Sequence, residues 1–302
     1  MRLLVIKHGA LGDIMQGLDA FASLRAHFDT DHITVLTGPS FAGLMRAMPY
    51  FDDVLVDPRA SFLNVRELLR IRAIFKQDFD IIIDMQCSKR TAHYHRFFAP
   101  KARRWLGTAP NCSDAYPDFT AVNNRDRMLY ATRYLGAEEA RGDLSFLAKN
   151  AANDVASLPP QYAVLLPGCS PAKPSKRWPA SHYAQLADEL VKAGITPVIA
   201  GTKLDAAACD EIAASCPQAI NLCDKTTLAA LAHLCANAVA CIGNDSGPVF
   251  LAAKTGAKTL MVMGPDTNPL MSAPTGKNAH YLKVDDLSSL DAKDVMTALG
   301  FC

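Results

Sequence analysis

Short, nearly continuous apolar runs alternate with longer amphipathic stretches along the chain. In the first half the short runs fall at 2–6, 32–36, 53–56 and 80–84, and 103–106 adds a further candidate. Between them, 14–27, 39–48 and 62–76 carry helical spacing, and 125–135 follows as another helix. Residues 107–124 are polar, contain prolines and show no period, so they are expected to be loop. The second half repeats the rhythm. Strands are expected at 162–166, 196–200, 219–222, 238–242 and 258–263, with helices at 181–193, 204–215, 227–236, 247–255 and 290–299. Strands apolar at almost every position are covered on both faces, which means a parallel sheet between helical layers. The Pro159-Pro160 pair and its Ala, Asn and Ser neighbours mark 148–161 as a linker. The pattern therefore predicts two doubly wound α/β domains, 1–150 and 151–302, with the last helix free to pack back on the first domain. Ligands of such sheets sit at the carboxyl ends of strands, so a cleft between the domains is the expected binding place.

Composition narrows the partners. Half of the 302 residues are hydrophobic, a fifth are charged, and the net charge is +1. This gives no electrostatic case for nucleic acid. No run approaches the roughly 20 apolar residues of a membrane span. The apolar start at 2–6 is too short for a signal peptide and reads as a first buried strand of a cytoplasmic protein. Nine cysteines without a Cys-x-x-Cys pair fit free thiols in a reducing compartment and not a zinc site, and no metal is expected.

Candidate chemistry lies where strands end. Gly9-Ala10-Leu11-Gly12-Asp13 follows the first strand. Its glycines permit close backbone approach to a ligand, and Asp13 is either an N-cap or first-turn helix residue or a general base for an acceptor hydroxyl. Gly243-Asn244-Asp245-Ser246-Gly247-Pro248 joins a strand to a helix, with Asp245 or Ser246 as cap and Pro248 in the first turn. Free N–H groups and the positive end of the helix dipole make that junction an anion site. Pro167-Gly168-Cys169-Ser170 opens a loop carrying Lys173, Lys176 and Arg177 ahead of Trp178-Pro179. Three cations on a stiffened loop suggest a diphosphate partner, the alternative being solvated charge. Asp205 could accept from ribose hydroxyls or cap the next helix. Asp84 and Gln86, with Lys89 and Arg90, could line an acceptor site. Equally, Lys89, Arg90, His93, His95 and Arg96 could be one solvated helix face. Arg90, Arg96, Phe97, Phe98, Lys101, Arg103, Arg104 and Trp105 could supply peripheral membrane attraction.

Together, Gly9–Asp13, Lys176-Arg177-Trp178-Pro179, Asn221–Leu228 and Gly243–Pro248 resemble glycosyltransferase family 9, the heptosyltransferases of the lipopolysaccharide inner core. The resemblance spans essentially the whole chain. It implies a GT-B fold of two Rossmann-like domains, acceptor-side and nucleotide-sugar-binding in that order. It also implies transfer of a heptose or related sugar from a nucleotide-diphosphate donor (typically ADP-heptose) to a lipopolysaccharide core, lipid A-type or other glycan acceptor, and inversion at the anomeric carbon without a bound metal or other cofactor. The place of action it implies is the cytoplasm or the cytoplasmic face of the inner membrane. Carried over by motif, Asp13 is the general base and Lys176 stabilises the departing diphosphate. Asp245, Ser246, Gly247 and Pro248 hold donor phosphates and sugar, Asp205 contacts the ribose, and Gly9, Gly12 and Ser170 complete the donor set. Two positions depart from the family pattern: Phe250 stands where it usually carries His, and Asp19 where it usually carries Pro. A catalytically silent nucleotide-binding homologue, or another GT-B enzyme such as an epimerase, is the alternative.

Overall fold

The structure, a computed structural model, describes residues 1–61, 63–98, 100–148 and 158–301. The chain divides into two compact units, Met1–Gly142 and Asp143–Cys302. Most of the expected linker, 149–157, lies outside the described residues.

The first unit comprises β1 (Arg2–Ile6), α1 (Leu11–His27), β2 (His32–Thr37), α2 (Ala42–Ala47), β3 (Asp53–Val56), α3 (Val65–Phe75), β4 (Ile81–Asp84), α4 (Lys89–Phe98), β5 (Arg104–Gly107), β6 (Asp114–Ala115) and α5 (Asn124–Tyr134). Its six strands are all parallel in the order β3-β2-β1-β4-β5-β6. The apolar runs of β1, β2 and β4 are buried at nearly every position, as two-sided coverage requires. One face carries an aromatic core in which the Phe75 ring lies 5.4 Å from Tyr94 and 5.8 Å from Trp105. On α1 every residue from Ile14 to Leu24 is buried, and the helix packs against α5.

The second unit comprises α6 (Ser145–Ala148), β7 (Tyr162–Leu166), α7 (Ala180–Lys192), β8 (Thr196–Ile199), α8 (Ala206–Ser215), β9 (Ile220–Asn221), α9 (Leu228–Asn237), β10 (Ala240–Asn244), α10 (Gly247–Lys254), β11 (Thr259–Met263), α11 (Pro269–Ser272), β12 (Ala279–Lys283) and α12 (Ala292–Ala298). Its parallel order is β12-β11-β10-β7-β8-β9, the same doubly wound plan. The last helix, free in sequence terms to pack back on the first domain, lies against α7. It places Ala292, Val295 and Met296 in the second unit's own core with Trp178, Leu186 and Leu190.

α4, α6, β6, β12 and α11 escape the sequence pattern, the last three for identifiable reasons. β6 is two residues long and interrupts the expected 107–124 loop. It is pinned there by Arg104, whose guanidinium donates to both Asp114 oxygens at 2.7 and 3.2 Å. β12 has no buried residue, so its register on β11 leaves no apolar signature. α11 is a single turn capped by Asn268. Short or exposed elements are specified by their partners rather than by periodicity.

Candidate active site

In each unit the strand order reverses beside the first strand, and the chemistry gathers there. In the first unit the reversal lies between β1 and β4, whose ends pair Ile6 with Asp84. β1 runs into Lys7, His8 and Gly9. Gly9 sits at φ 131°, and an added Cβ would lie 2.4 Å from the Phe41 ring, so only glycine fits. The helix starts at Leu11, three residues before the apolar pattern, which makes Asp13 a first-turn residue rather than the cap. Its Oδ2 accepts from the Ala10 N–H at 3.2 Å. Its Oδ1 accepts from the Asn124 side-chain amide at 2.9 Å, and Arg127 donates to Asn124 Oδ1 at 2.7 Å. Asp13 remains partly accessible.

Around this carboxylate lies a buried polar cluster. Lys7 is 1% exposed, and its Nζ donates to the Met85 carbonyl at 3.4 Å. Burial pulls the Lys7 ammonium below its ordinary value and Arg127 acts the same way, against Asp13, Cys87 and Asp84. Asp84 is fully buried. Its Oδ1 accepts the Gln86 and Cys87 N–H groups at 3.0 and 2.9 Å, whereas its Oδ2 has no partner among the described residues. Burial raises the Asp84 carboxyl and pushes the Cys87 thiol up to about 12. The buried Tyr116 hydroxyl is likewise without a partner among the described residues. Gln86 accepts from the His8 N–H at 2.9 Å. Beyond His8, Nε2 lies 3.0 Å from Asp57 Oδ2, close but not aligned as a hydrogen bond. Asp57 also accepts from the Tyr94 hydroxyl at 2.6 Å and the Arg59 N–H at 2.8 Å. Burial pushes the Asp57 carboxyl up, but the contacts from His8, Tyr94 and Arg59 outweigh it and leave it below the ordinary value.

Asp19, the other departure from the family pattern, is buried on α1. Its carboxylate pairs with Arg125 and accepts the Gly142 N–H at 3.1 Å. It is a fastening between α1, α5 and the end of the unit.

In the second unit the order reverses between β7 and β10. The two strands approach so closely that a Cβ on Gly243 would lie 2.7 Å from Leu166 Cβ and 2.6 Å from Val249 Cγ2. Asn244, fully buried at the end of β10, holds the neighbouring loop. Its Nδ2 donates to the Pro167 carbonyl at 2.7 Å, and its Oδ1 accepts from the Trp178 N–H at 3.0 Å and the Tyr183 hydroxyl at 3.1 Å. This clamp brings Lys176 to Asp245. The Lys176 ammonium donates to Asp245 Oδ2, which also accepts the Thr267 hydroxyl at 2.9 Å. Ser246 occupies the cap position of α10 without making a side-chain cap, and its buried Oγ has no partner among the described residues. The first turn of α10, with Gly247 and Pro248, thus presents its helix end beside a cation, a geometry suited to an anion.

The remaining expected residues divide. Ser170 is exposed at the head of the cationic loop, and its carbonyl accepts the Lys173 N–H at 2.9 Å. Arg177 donates to the Cys169 carbonyl at 2.9 Å and lies 3.7 Å from Asp205 Oδ1. Asp205 Oδ2 accepts from the Thr202 N–H and hydroxyl at 3.0 and 2.8 Å, and the residue is 7% exposed. Asp205 stands at the cap position of α8 without making a side-chain cap there; its carboxylate closes the capping box of the single turn before that helix. Phe250 is buried in α10. Asn124 and Arg127 were not singled out by sequence reasoning; Asn244 entered it only within the 243–248 motif, and Thr267 only within the 264–269 loop, read as one wall of a nucleotide pocket. For Asn124 the Asn-Asn start of α5 marked a helix boundary, but nothing local tied it to a residue more than a hundred positions earlier. Among the described residues no three His, Cys, Asp or Glu side chains could hold a metal ion, and no helix is long and apolar enough to cross a membrane.

The model of glycosyltransferase family 9 (heptosyltransferase) matches residues 68–298. Lipooligosaccharide heptosyltransferase 2 of Haemophilus ducreyi is 25% identical over 315 aligned positions, covering 95% of this chain and 89% of that protein. Lipopolysaccharide heptosyltransferase 1 of Pseudomonas aeruginosa is 26% identical over 305, covering 94% and 84%. Among solved structures, E. coli heptosyltransferase WaaC with ADP superposes with a TM-score of 0.81 at 20% identity, over 99% of both chains. A glycosyl transferase family 9 protein from Veillonella parvula superposes with a TM-score of 0.83 at 20% identity, over 99% of this chain and 96% of that one.

Proposed function

The chain belongs to glycosyltransferase family 9 and has the GT-B fold, and on that premise we propose that it transfers a heptose from ADP-heptose to a lipopolysaccharide core acceptor. The first unit would take the acceptor and the second the nucleotide. The observation that carries the reading is the constellation of Lys176, Asp245 and Thr267 beside the uncapped start of α10. In the proposed step an acceptor hydroxyl gives its proton to Asp13 while its oxygen forms a bond to the anomeric carbon from the opposite face. The bond from that carbon to the diphosphate breaks, and the electron pair leaves with ADP. Negative charge grows on the departing diphosphate. A cation and preorganised N–H groups stabilise that charge more in the transition state than in the ground state.

The test is turnover of ADP-heptose with core acceptors truncated before and after the first heptose. Asp13→Ala should lower kcat by at least about a hundredfold, the lower end of what a positioned base contributes. Calorimetric titration with ADP should be unchanged. Undiminished turnover would remove Asp13 from the base role.

A lipid-borne acceptor calls for approach to a membrane face, and α4 and the segment after it offer a surface for it. Phe97 is 62% exposed with Arg96 over its ring, and Lys101 and Arg103 are exposed beside them. On α3, Val65 and Leu69 are 64% and 57% exposed one turn apart. Of the expected membrane-facing residues, Phe98 and Trp105 are instead buried in the aromatic core, and Arg104 is committed to Asp114. Peripheral attachment would therefore rest on Arg96, Phe97, Lys101 and Arg103.

A further inference from the structure

Asp13 is fastened by two donors of different kinds. One is local, the Ala10 N–H, and comes with the first turn of α1. The other comes from α5, where Asn124 is the first helical residue behind an Asn123 cap that accepts the Arg125 N–H at 3.0 Å. Three half-buried side chains then stand in line: Asp13, Asn124 and Arg127, at 2.9 and 2.7 Å.

The chemistry of the line is directional. A guanidinium only donates, and an ionised carboxylate only accepts. Arg127 therefore assigns the Asn124 amide, turning Oδ1 toward itself and Nδ2 toward Asp13. A side chain between a pure donor and a pure acceptor must offer one of each on a short, rigid stem, which describes asparagine. Other titratable groups near this point are Lys7 from the end of β1 and, beyond it, Asp84 and Cys87 from the end of β4. None of them holds an Asp13 oxygen among the described residues, so these two donors fix the rotation of its carboxyl group.

We propose that Asn124, oriented by Arg127, is the positioning residue of the general base. It holds one Asp13 oxygen so that the other lone pairs meet the acceptor hydroxyl. The inference rests on the reading of Asp13 as base. It assigns α5 a part in the reaction through a residue that touches no substrate.

The test is steady-state kinetics of the full chain with ADP-heptose and the two truncated core acceptors. Asn124→Asp keeps the shape but replaces the donor with an oxygen facing Asp13. We expect kcat to fall about a hundredfold, the cost of a displaced catalytic group. KM for both substrates and ADP affinity should stay as they are. Arg127→Gln, which leaves the amide free to turn over, should lose less, and Arg127→Lys, again a pure donor, should regain part of that loss. Should Asn124→Asp fail to fold, Asn124→Ala removes the donor without adding charge and should show the same split between kcat and KM. Full kcat in a folded Asn124 variant, or a loss carried by KM, overturns the proposal. If Asp13→Ala collapses turnover while the Asn124 variants do not, only the positioning role fails. If Asp13→Ala itself is active, the base reading fails first.

Discussion

Replacing Lys176 by Ala separates a cation that binds diphosphate from one that merely neutralises its neighbour. In the free protein the ammonium rests on Asp245 Oδ2, with side chains 17% and 6% exposed respectively. A hydrogen bond to a charged group is worth about 1.5–3 kcal/mol. Lys176 keeps some solvent access and would share itself between Asp245 and a phosphate oxygen, so a value near the middle of that range, about 2 kcal/mol, is appropriate. That corresponds to roughly thirtyfold weaker binding of ADP. Adenosine, which lacks the phosphates, should bind the variant and the parent alike. Calorimetric titration of both ligands into both proteins makes the comparison, with thermal unfolding run in parallel because Asp245 loses its partner. Equal losses for adenosine and ADP would mean that the loop had collapsed. Unchanged ADP binding would mean that Lys176 serves Asp245 alone, and the phosphate assignment would be wrong.

Two further outcomes are expected. The Arg104 guanidinium, helped by the Ser113 and Tyr134 hydroxyls, holds the Asp114 carboxyl near 2, below its ordinary value. Its stabilising effect is therefore present above about pH 4 and lost as pH falls toward 2. Unfolding temperatures of the parent and Arg104→Gln should differ between pH 5 and 7 and converge at the acid end; a constant gap would refute the linkage. Changing Arg96, Phe97, Lys101 and Arg103 together to Ser should reduce sedimentation with vesicles rich in anionic phospholipid, and equal sedimentation would dispose of the membrane surface.

The doubly wound plan was legible because two-sided burial writes itself into β1, β4, β7, β10 and β11 as unbroken apolar runs. The loops that follow β1, β7 and β10 were legible for a related reason. Gly9 and Gly243 stand where no side chain fits, and the cations and carboxylates beside them occupy strand ends, where such sheets bind ligands. Those signals are local, and sequence order preserves them.

What the sequence could not settle was which of two bonds a polar side chain makes. Asp205 was a cap of the next helix or a ribose contact, and in the fold its carboxylate turns back to Thr202 instead of capping α8. Asp19 was an odd residue in a helix, and Arg125 makes it a buried anchor. Asn244 lay inside a motif and Asn124 at a helix start, but neither carried a sign of its partners. One clamps Pro167 and Trp178 across 77 and 66 positions, and the other reaches Asp13 across 111. Hydropathy and spacing report how a residue meets the layer above or below it. Hydrogen bonds between distant strand ends depend on register and strand order, and only the assembled sheet supplies those. The chain by itself thus determined the two layered units and the positions of the charged loops. The tertiary structure decided how each carboxylate is held, because that depends on which donors the fold brings to it.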